Sequence, residues 1–327
     1  KFVRLFDLLD KQTEYQEESL LKREPGIKRS QLSNLKSHLY KQILASLRLL
    51  QRNHDQTIQI RENLDYAKVL YNKGLFEQSL RLLDRAKSQA SSCQNPSLLL
   101  EIIEFEKHIE CHHVTHALPS RADELALEAQ QIRKEASQTS ILSNLSLRMY
   151  GLFLKAGYIR TPEEHQTIEH FFFEQLPDCN LEELSFLEKL YYYEAFLWYH
   201  YITQDFLLCY KYCQKWVDLF DDHPEVQIVY PDLYLKGIHN LLATLFNLQH
   251  HRKFREVLTK LESFGSDPAN KVMESKKATL QAYLFTHQIN IHFMEGTFSE
   301  GVKQLEGIDQ LLRNLVYQVD VNRIMLL

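Results

Sequence analysis

Apolar residues recur at intervals of three and four along almost the whole chain, the spacing that places them on one face of an α-helix. Leu64, Ala67, Leu70 and Tyr71 follow it, and the pattern restarts at Phe76. No stretch shows the strict alternation typical of a half-buried strand. The pattern predicts helices near residues 2–23, 30–52, 56–73, 76–92, 97–115, 121–137, 140–156, 162–175, 181–203, 205–220, 231–249, 253–264, 269–295 and 298–318.

Prolines and capping residues mark several of the predicted helix starts. In the segment Thr161-Pro162-Glu163-Glu164, Thr161 suits the N-cap, Pro162 suits the first helical position, and Glu164 completes a capping box. Glycine, which turns in β-rich and nucleotide-binding folds require, occurs only 9 times in 327 residues. Both features favour an all-α protein.

Four turns share one design: a helix ends, an aromatic residue follows, and a smaller residue comes three positions later. Further apolar or sulfur-containing residues follow at helical spacing, which suits a second helix that packs closely against the first. The aromatic residues and their small partners are Phe76 with Ser79, Phe206 with Cys209, Phe254 with Val257, and Phe298 with Gly301.

This design resembles the turn and second helix of a tetratricopeptide repeat (TPR). Gly74 and Gly296 match the glycine that precedes the family's aromatic residue, whereas Gln204 and Arg252 do not. Phe206, Phe254 and Phe298 are 48 and 44 residues apart, longer than the 34 residues of a strict TPR. The resemblance extends from about Arg61 onwards. It is to divergent TPR-like arrays of bacterial proteins, and it implies a right-handed α–α superhelix, a solenoid of antiparallel helix pairs.

The predicted organisation has two parts. Residues 1–55 would form a basic helical hairpin that caps the solenoid, and residues 56–327 would form the TPR-like repeats. The chain begins without Met and ends in mid-pattern at Leu327, so we expect a piece of a longer protein in which the repeats continue.

The segment from Tyr191 to Tyr201 is the leading candidate for a binding surface. A helix this aromatic on all sides is either plain core or exposes part of its surface to a ligand. In TPR proteins the first helix of each pair lines the concave groove. The resemblance therefore implies that Tyr191, Glu194, Trp198 and Tyr201 bind a partner there.

Two other groups of residues suggest chemistry less specifically. His112 and His116 are four residues apart, so both imidazoles could reach one metal ion, but no third ligand is evident and a solvated helix end explains them as well. Cys209 and Cys213 share a helical face, where buried packing competes with a nucleophilic role. Neither a phosphate-binding loop nor a nucleophile-elbow motif occurs. We therefore expect no enzymatic activity and no cofactor.

Charge is unevenly distributed although the net charge is only −5. Residues 22–52 are basic and residues 161–188 are acidic, which suggests either two solvated faces or two surfaces that steer partners of opposite charge. The basic stretch lacks interleaved aromatic residues, so nucleic acid is not an expected partner. No apolar run is long enough to cross a membrane, and five cysteines without a C-x-x-C pair suggest a reducing cytoplasm.

These observations predict a cytoplasmic scaffold that holds a peptide or a helix of a partner protein on the concave face of the array. A second hypothesis is that the repeats sense a peptide for an effector domain elsewhere in a longer protein. A third is a metal-dependent enzyme built around His112. The sequence leaves the partner and the oligomeric state open.

Overall fold

In a computed structural model, the described residues of the chain are predominantly helical, with no β-strand among them. The structure describes residues 2–12, 15–23, 26–52, 55–113, 119–266 and 274–303. The helices are α1 (Phe2–Asp10), α2 (Glu17–Arg23), α3 (Arg29–Gln51), α4 (Gln56–Asn72), α5 (Phe76–Ser92), α6 (Pro96–His113), α7 (Pro119–Ala156), α8 (Pro162–Gln175), α9 (Phe186–Ile202), α10 (Phe206–Asp221), α11 (Pro224–Val229), α12 (Pro231–Asn247), α13 (His251–Ser266) and α14 (Glu274–Glu295).

The chain divides into two compact units at Glu62 and Asn63. The first unit, residues 1–62, has its own small core, where Leu5 and Leu20 of the first two helices are fully buried with Leu32 and Leu39 of α3. The predicted helix at residues 2–23 is two helices, α1 and α2. The division lies seven residues beyond the predicted boundary at residue 55. The capping role predicted for this segment stays a prediction.

In the second unit, residues 63–327, each long helix packs on the one that follows it. This order runs from α5 through α6 and α7 to α9, and then through α10, α12 and α13 to α14. Helices α12 and α14, which are not consecutive, also contact each other. An all-α architecture with sequential packing is therefore present, as the apolar periodicity predicts.

One long helix replaces two predicted ones. Residues 121–137 and 140–156 were expected to be separate helices, yet α7 runs unbroken for 38 residues. The intervening residues, Gln138, Thr139 and Ser140, include neither glycine nor proline, and a β-branched or hydroxyl side chain lowers helix propensity only slightly. The first part of the helix packs against α6, and α9 also packs on α7.

Five helix ends in the second unit share one backbone geometry. Each is followed by a residue with positive φ, and these residues are Gln94, Gln204 and Gln249 and the glycines Gly74 and Gly296. The next amide donates to the carbonyl five residues earlier, as from Leu75 to Leu70 (3.0 Å) and from Asp205 to His200 (2.9 Å). This is the Schellman motif, which satisfies carbonyls that a helix end leaves unpaired. In the turn before Phe254 the left-handed residue is Gln249, three residues before Arg252, which occupies the position of the repeat family's glycine.

We expect Gly74→Ala to lower the free energy of unfolding by about 1–2 kcal/mol, because an L-residue is strained in the left-handed region. Gly74 has φ +76°, and among the described atoms none lies within 4 Å of a Cβ placed there, so the effect would be purely conformational. Chemical denaturation would measure it. An unchanged or raised free energy of unfolding, as expected for Gly→Ala at an ordinary exposed helical position, would contradict this account of the turn.

At two of the turns the small residue contacts the backbone of the preceding helix. The Ser79 hydroxyl donates to the Ala67 carbonyl twelve residues earlier (2.7 Å), and the Cys209 thiol donates to the Leu197 carbonyl at the same separation (3.8 Å). The aromatic residues of the four turns differ in burial. Phe254 is fully buried, whereas Phe298 is 56% exposed.

Candidate functional site

Helix α9 forms the centre of the second unit. It begins at Ser185, whose backbone amide donates to the Glu188 carboxylate (2.8 Å) as half of a capping box. Thirteen of its seventeen residues are buried, because its apolar side chains point in every direction. One side packs against α10 and α12, and the other against α7 and α8. For most of this helix the plain-core interpretation is therefore the better one.

One part of α9 nevertheless borders a cleft, which we call the aromatic cleft. Its volume is about 320 Å³, and its walls come from α7, α9, α12 and α14. The lining residues are Tyr150, Phe153, Leu154, Leu197, Trp198, Tyr201, Lys236, His239, Asn240, Ala243, Tyr283, Thr286, His287 and Asn290.

The four predicted binding residues occupy different positions relative to this cleft. Trp198 and Tyr201 line it. Glu194 is buried and reaches the cleft only through its ion pair with Lys236, while Tyr191 is half-buried outside the lining. Burial, followed by the charges of Glu194 and Asp232, raises the pKa of Tyr191. The prediction that these residues bind a partner stays a prediction, and the structure places two of them at the cleft.

An ion pair closes one end of the cleft. The Lys236 ammonium donates to the Glu194 carboxylate, whose side chain is only 6% exposed, while the lysine side chain is 31% exposed. The same ammonium lies 5.7 Å from the centre of the Tyr150 ring. Because the two charges cancel, this end of the cleft offers no uncompensated cation to a ligand.

Aromatic rings in mutual contact form the apolar wall of the cleft. Trp198 lies between Tyr150, with ring centres 4.7 Å apart, and Phe153, at 5.4 Å. Tyr201 contacts both Phe153 and Trp198. Burial and a hydrogen bond with Tyr158 raise the pKa of Tyr201, so its hydroxyl stays protonated. Aromatic side chains of this kind supply large apolar contact area at low entropic cost.

A buried histidine pair on α12 and α14 also lines the cleft. His239 Nδ1 and His287 Nε2 are 2.9 Å apart, so one nitrogen donates and the other accepts. The His239 ring also stacks on Tyr283 at 4.1 Å. His287 is fully buried, and this burial, together with His239, lowers its pKa well below the ordinary value. His287 is therefore neutral at physiological pH.

Three residues of the cleft carry a buried polar atom that has no hydrogen-bond partner within the described part of the chain. These atoms are Trp198 Nε1, Asn240 Nδ2 and His287 Nδ1. The three residues are 7%, 8% and 0% exposed. A buried polar group without a partner costs about 1–3 kcal/mol, so three in one cleft is an expensive arrangement for a structural core.

The depressed pKa of His287 predicts acid sensitivity. Below the ordinary pKa of 6.5 the unfolded chain binds a proton at this residue and the folded chain does not, so the free energy of unfolding falls as pH is lowered. The slope from this residue alone reaches at most about 1.4 kcal/mol per pH unit. Denaturant unfolding between about pH 7.5 and pH 5.5 should show that the free energy of unfolding depends less steeply on pH in His287→Gln than in the wild-type protein. His251→Gln, at an exposed histidine, is the control; a His287→Gln slope equal to the wild-type slope would refute the assignment.

The metal hypothesis gains no support from the geometry. His112 is exposed and its Nδ1 lies 2.9 Å from the His108 carbonyl, as at an ordinary helix end. His116, the second candidate ligand, lies outside the described residues. Within the described residues no group of three His, Cys, Asp or Glu side chains is arranged to hold a metal ion.

The geometry around the paired cysteines favours the packing interpretation. Cys209 and Cys213 are fully buried, and burial raises the pKa of the Cys213 thiol to about 12. Burial likewise raises the pKa of Cys209. Both sulfurs stay protonated at neutral pH and are poor nucleophiles in this environment.

The walls that α12 and α14 contribute were not predicted. His239, Asn240 and His287 belong to helices whose periodicity indicates only that they are amphipathic and packed. One available signal was the presence of polar residues among apolar ones, in Ile238-His239-Asn240-Leu241. A polar residue inside an apolar face needs a partner, but the sequence does not say which one.

Comparison with protein-family models, curated proteins and solved structures found no match to this chain. Within the described residues, no helix combines the length and apolar composition that crossing a membrane requires.

Proposed function

We propose that this chain is a protein-binding scaffold that holds a peptide or a helix of a partner in the aromatic cleft. The observation that carries the proposal is that the first helices of three successive pairs, α9, α12 and α14, contribute walls to one open cleft. A TPR-like right-handed superhelix would generate such a cleft, because stacked repeats leave the faces of their first helices uncovered.

The composition of the cleft also supports protein binding. Tyrosine and tryptophan are the side chains most often found at the centre of binding surfaces, and Trp198, Tyr201 and Tyr150 occur together here. Leu154, at the edge of the cleft, is 59% exposed. An exposed apolar residue beside an aromatic wall suits a partner that brings its own apolar side chains.

Selection from a random-peptide display library against the whole chain tests the proposal. Leu154→Glu introduces a charge at the rim of the cleft, and we expect it to weaken binding of the selected peptides by about tenfold or more. Leu207→Glu is the matched control, because Leu207 is 71% exposed on α10, a second helix, and does not line the cleft. Failure to select any peptide, or equal loss in the two variants, would contradict the proposal.

A further inference from the structure

The polar atoms of the aromatic cleft indicate which kind of group would satisfy it. Trp198 Nε1 is only a donor, and Asn240 Nδ2 is a donor as placed. His287 Nδ1 is either donor or acceptor, because the proton between His239 and His287 sits on either of the two facing nitrogens. The complementary ligand therefore presents at least one acceptor and tolerates a donor beside it.

The charges around the cleft determine whether the ligand's acceptor group is ionised or neutral. The Lys236 ammonium is neutralised by Glu194, and His287 is neutral through burial. A carboxylate or phosphate entering the cleft would lose its hydration without gaining a cation, which is unfavourable. A carbonyl oxygen carries no such penalty, so an uncharged acceptor fits the cleft better.

The size and wall composition of the cleft further limit which ligand fits it. About 320 Å³ is at the lower end of the range of ligand-binding cavities, so the cleft takes one or two residues rather than a long segment. The stacked wall of Tyr150, Trp198 and Phe153 suits an aromatic or branched aliphatic side chain. A peptide unit offers that side chain together with a carbonyl acceptor and an amide donor on neighbouring atoms.

We infer that the aromatic cleft binds an uncharged segment inside a peptide, inserting one apolar side chain against Trp198 and pairing the adjacent backbone amide with Trp198, Asn240 and His287. This inference rests on the proposed function and specifies its ligand. The three polar atoms are shielded from water in the free protein, so binding includes a small displacement of the side chains that cover them.

Nuclear magnetic resonance of the two tryptophan indoles tests the inference directly. The chain has only two tryptophans, and the Trp216 indole nitrogen is also buried without a partner in the described residues, yet Trp216 lies outside the cleft lining. Trp216 is therefore an internal reference. The probes are N-acetyl-phenylalanine amide, N-acetyl-phenylalanine with its free carboxylate, and propylbenzene.

We expect the neutral amide to move the Trp198 indole N–H resonance to lower field in a saturable manner while the Trp216 resonance stays in place. The carboxylate should bind at least about tenfold more weakly, and propylbenzene should bind without the low-field shift. Tighter binding of the carboxylate, or no shift of the Trp198 resonance by the amide up to its solubility limit, would overturn the inference.

Two tryptophan variants distinguish a loss of the Trp198 hydrogen bond from a general disturbance of the fold. Trp198→Phe retains an aromatic ring, although a smaller one, and removes the N–H donor, so it should weaken binding of the neutral amide about tenfold with a normal helical spectrum. Trp216→Phe is the matched control and should leave binding unchanged. Library peptides that depend on Leu154 but compete with none of the probes would leave the proposed function standing and defeat this inference alone.

Discussion

Lys236→Met is expected to lower the free energy of unfolding by about 3 kcal/mol, the largest effect we predict for a single substitution in this chain. It leaves the Glu194 carboxylate in a site where its side chain is 6% exposed, with its ion-pair partner gone. An uncompensated buried charge is far more costly than the loss of a surface ion pair. The Lys236 ammonium also lies 5.7 Å from the Tyr150 ring centre and 6.0 Å from the Trp216 ring centre, and Met replaces it with an uncharged side chain of similar length.

Two further variants make this result interpretable. Glu194→Gln combined with Lys236→Met removes both charges and should recover most of the lost stability. Arg252→Met breaks an ion pair with Glu256 in which the arginine side chain is 91% exposed, and should cost less than about 1 kcal/mol. Denaturant unfolding measures all four proteins. Equal losses for Lys236→Met and Arg252→Met would show that the Glu194 site is well hydrated.

Gly237→Ala is expected to destabilise the second unit by about 1–3 kcal/mol, although alanine is the better helix former. A Cβ at this position would lie 2.9 Å from both Cδ1 and Nε1 of Trp216. Trp216 is fully buried, so its ring has nowhere to move without displacing other core residues. Gly237 thus permits the close crossing of α10 and α12.

Gly151→Ala is the matched control because it is also a glycine inside a helix. Residue 151 is exposed, and no described atom lies within 4 Å of a Cβ built there. The substitution should therefore raise the free energy of unfolding by about 0.5–1 kcal/mol. Opposite signs for the two substitutions are the expected result. A stabilising Gly237→Ala would mean that α10 and α12 are not packed as closely as the structure indicates.

Local sequence signals predicted the structure correctly where one residue type is strongly preferred for a given backbone conformation. Gly74 and Gly296 mark turns with positive φ, and the Thr161 capping box begins α8 as predicted. They were less reliable where several residues satisfy the same requirement. Gln204 and Gln249 adopt the left-handed conformation although neither is glycine. The residues from Gln138 to Ser140 gave no sequence signal that α7 would continue through them.

The candidate site was only partly predictable for a related reason. Trp198 and Tyr201 were predicted as binding residues because they belong to an unusually aromatic helix, and both line the cleft. Glu194 was expected on the same surface, but its carboxylate turns inward to Lys236 on another helix, 42 residues later. An ion pair between distant positions depends on how two helices cross, which hydrophobic periodicity does not encode.

Hydrophobic periodicity and turn residues predict that this protein is helical, where most of its helices end, and which small residues allow successive helices to approach. These properties depend on side chains within a few positions of each other. The packing of the helices brings His239 to His287, 48 residues apart, and places both in one cleft with Trp198. Periodicity fixes the direction a side chain faces along its own helix, whereas its neighbours depend on the packing of all the helices together.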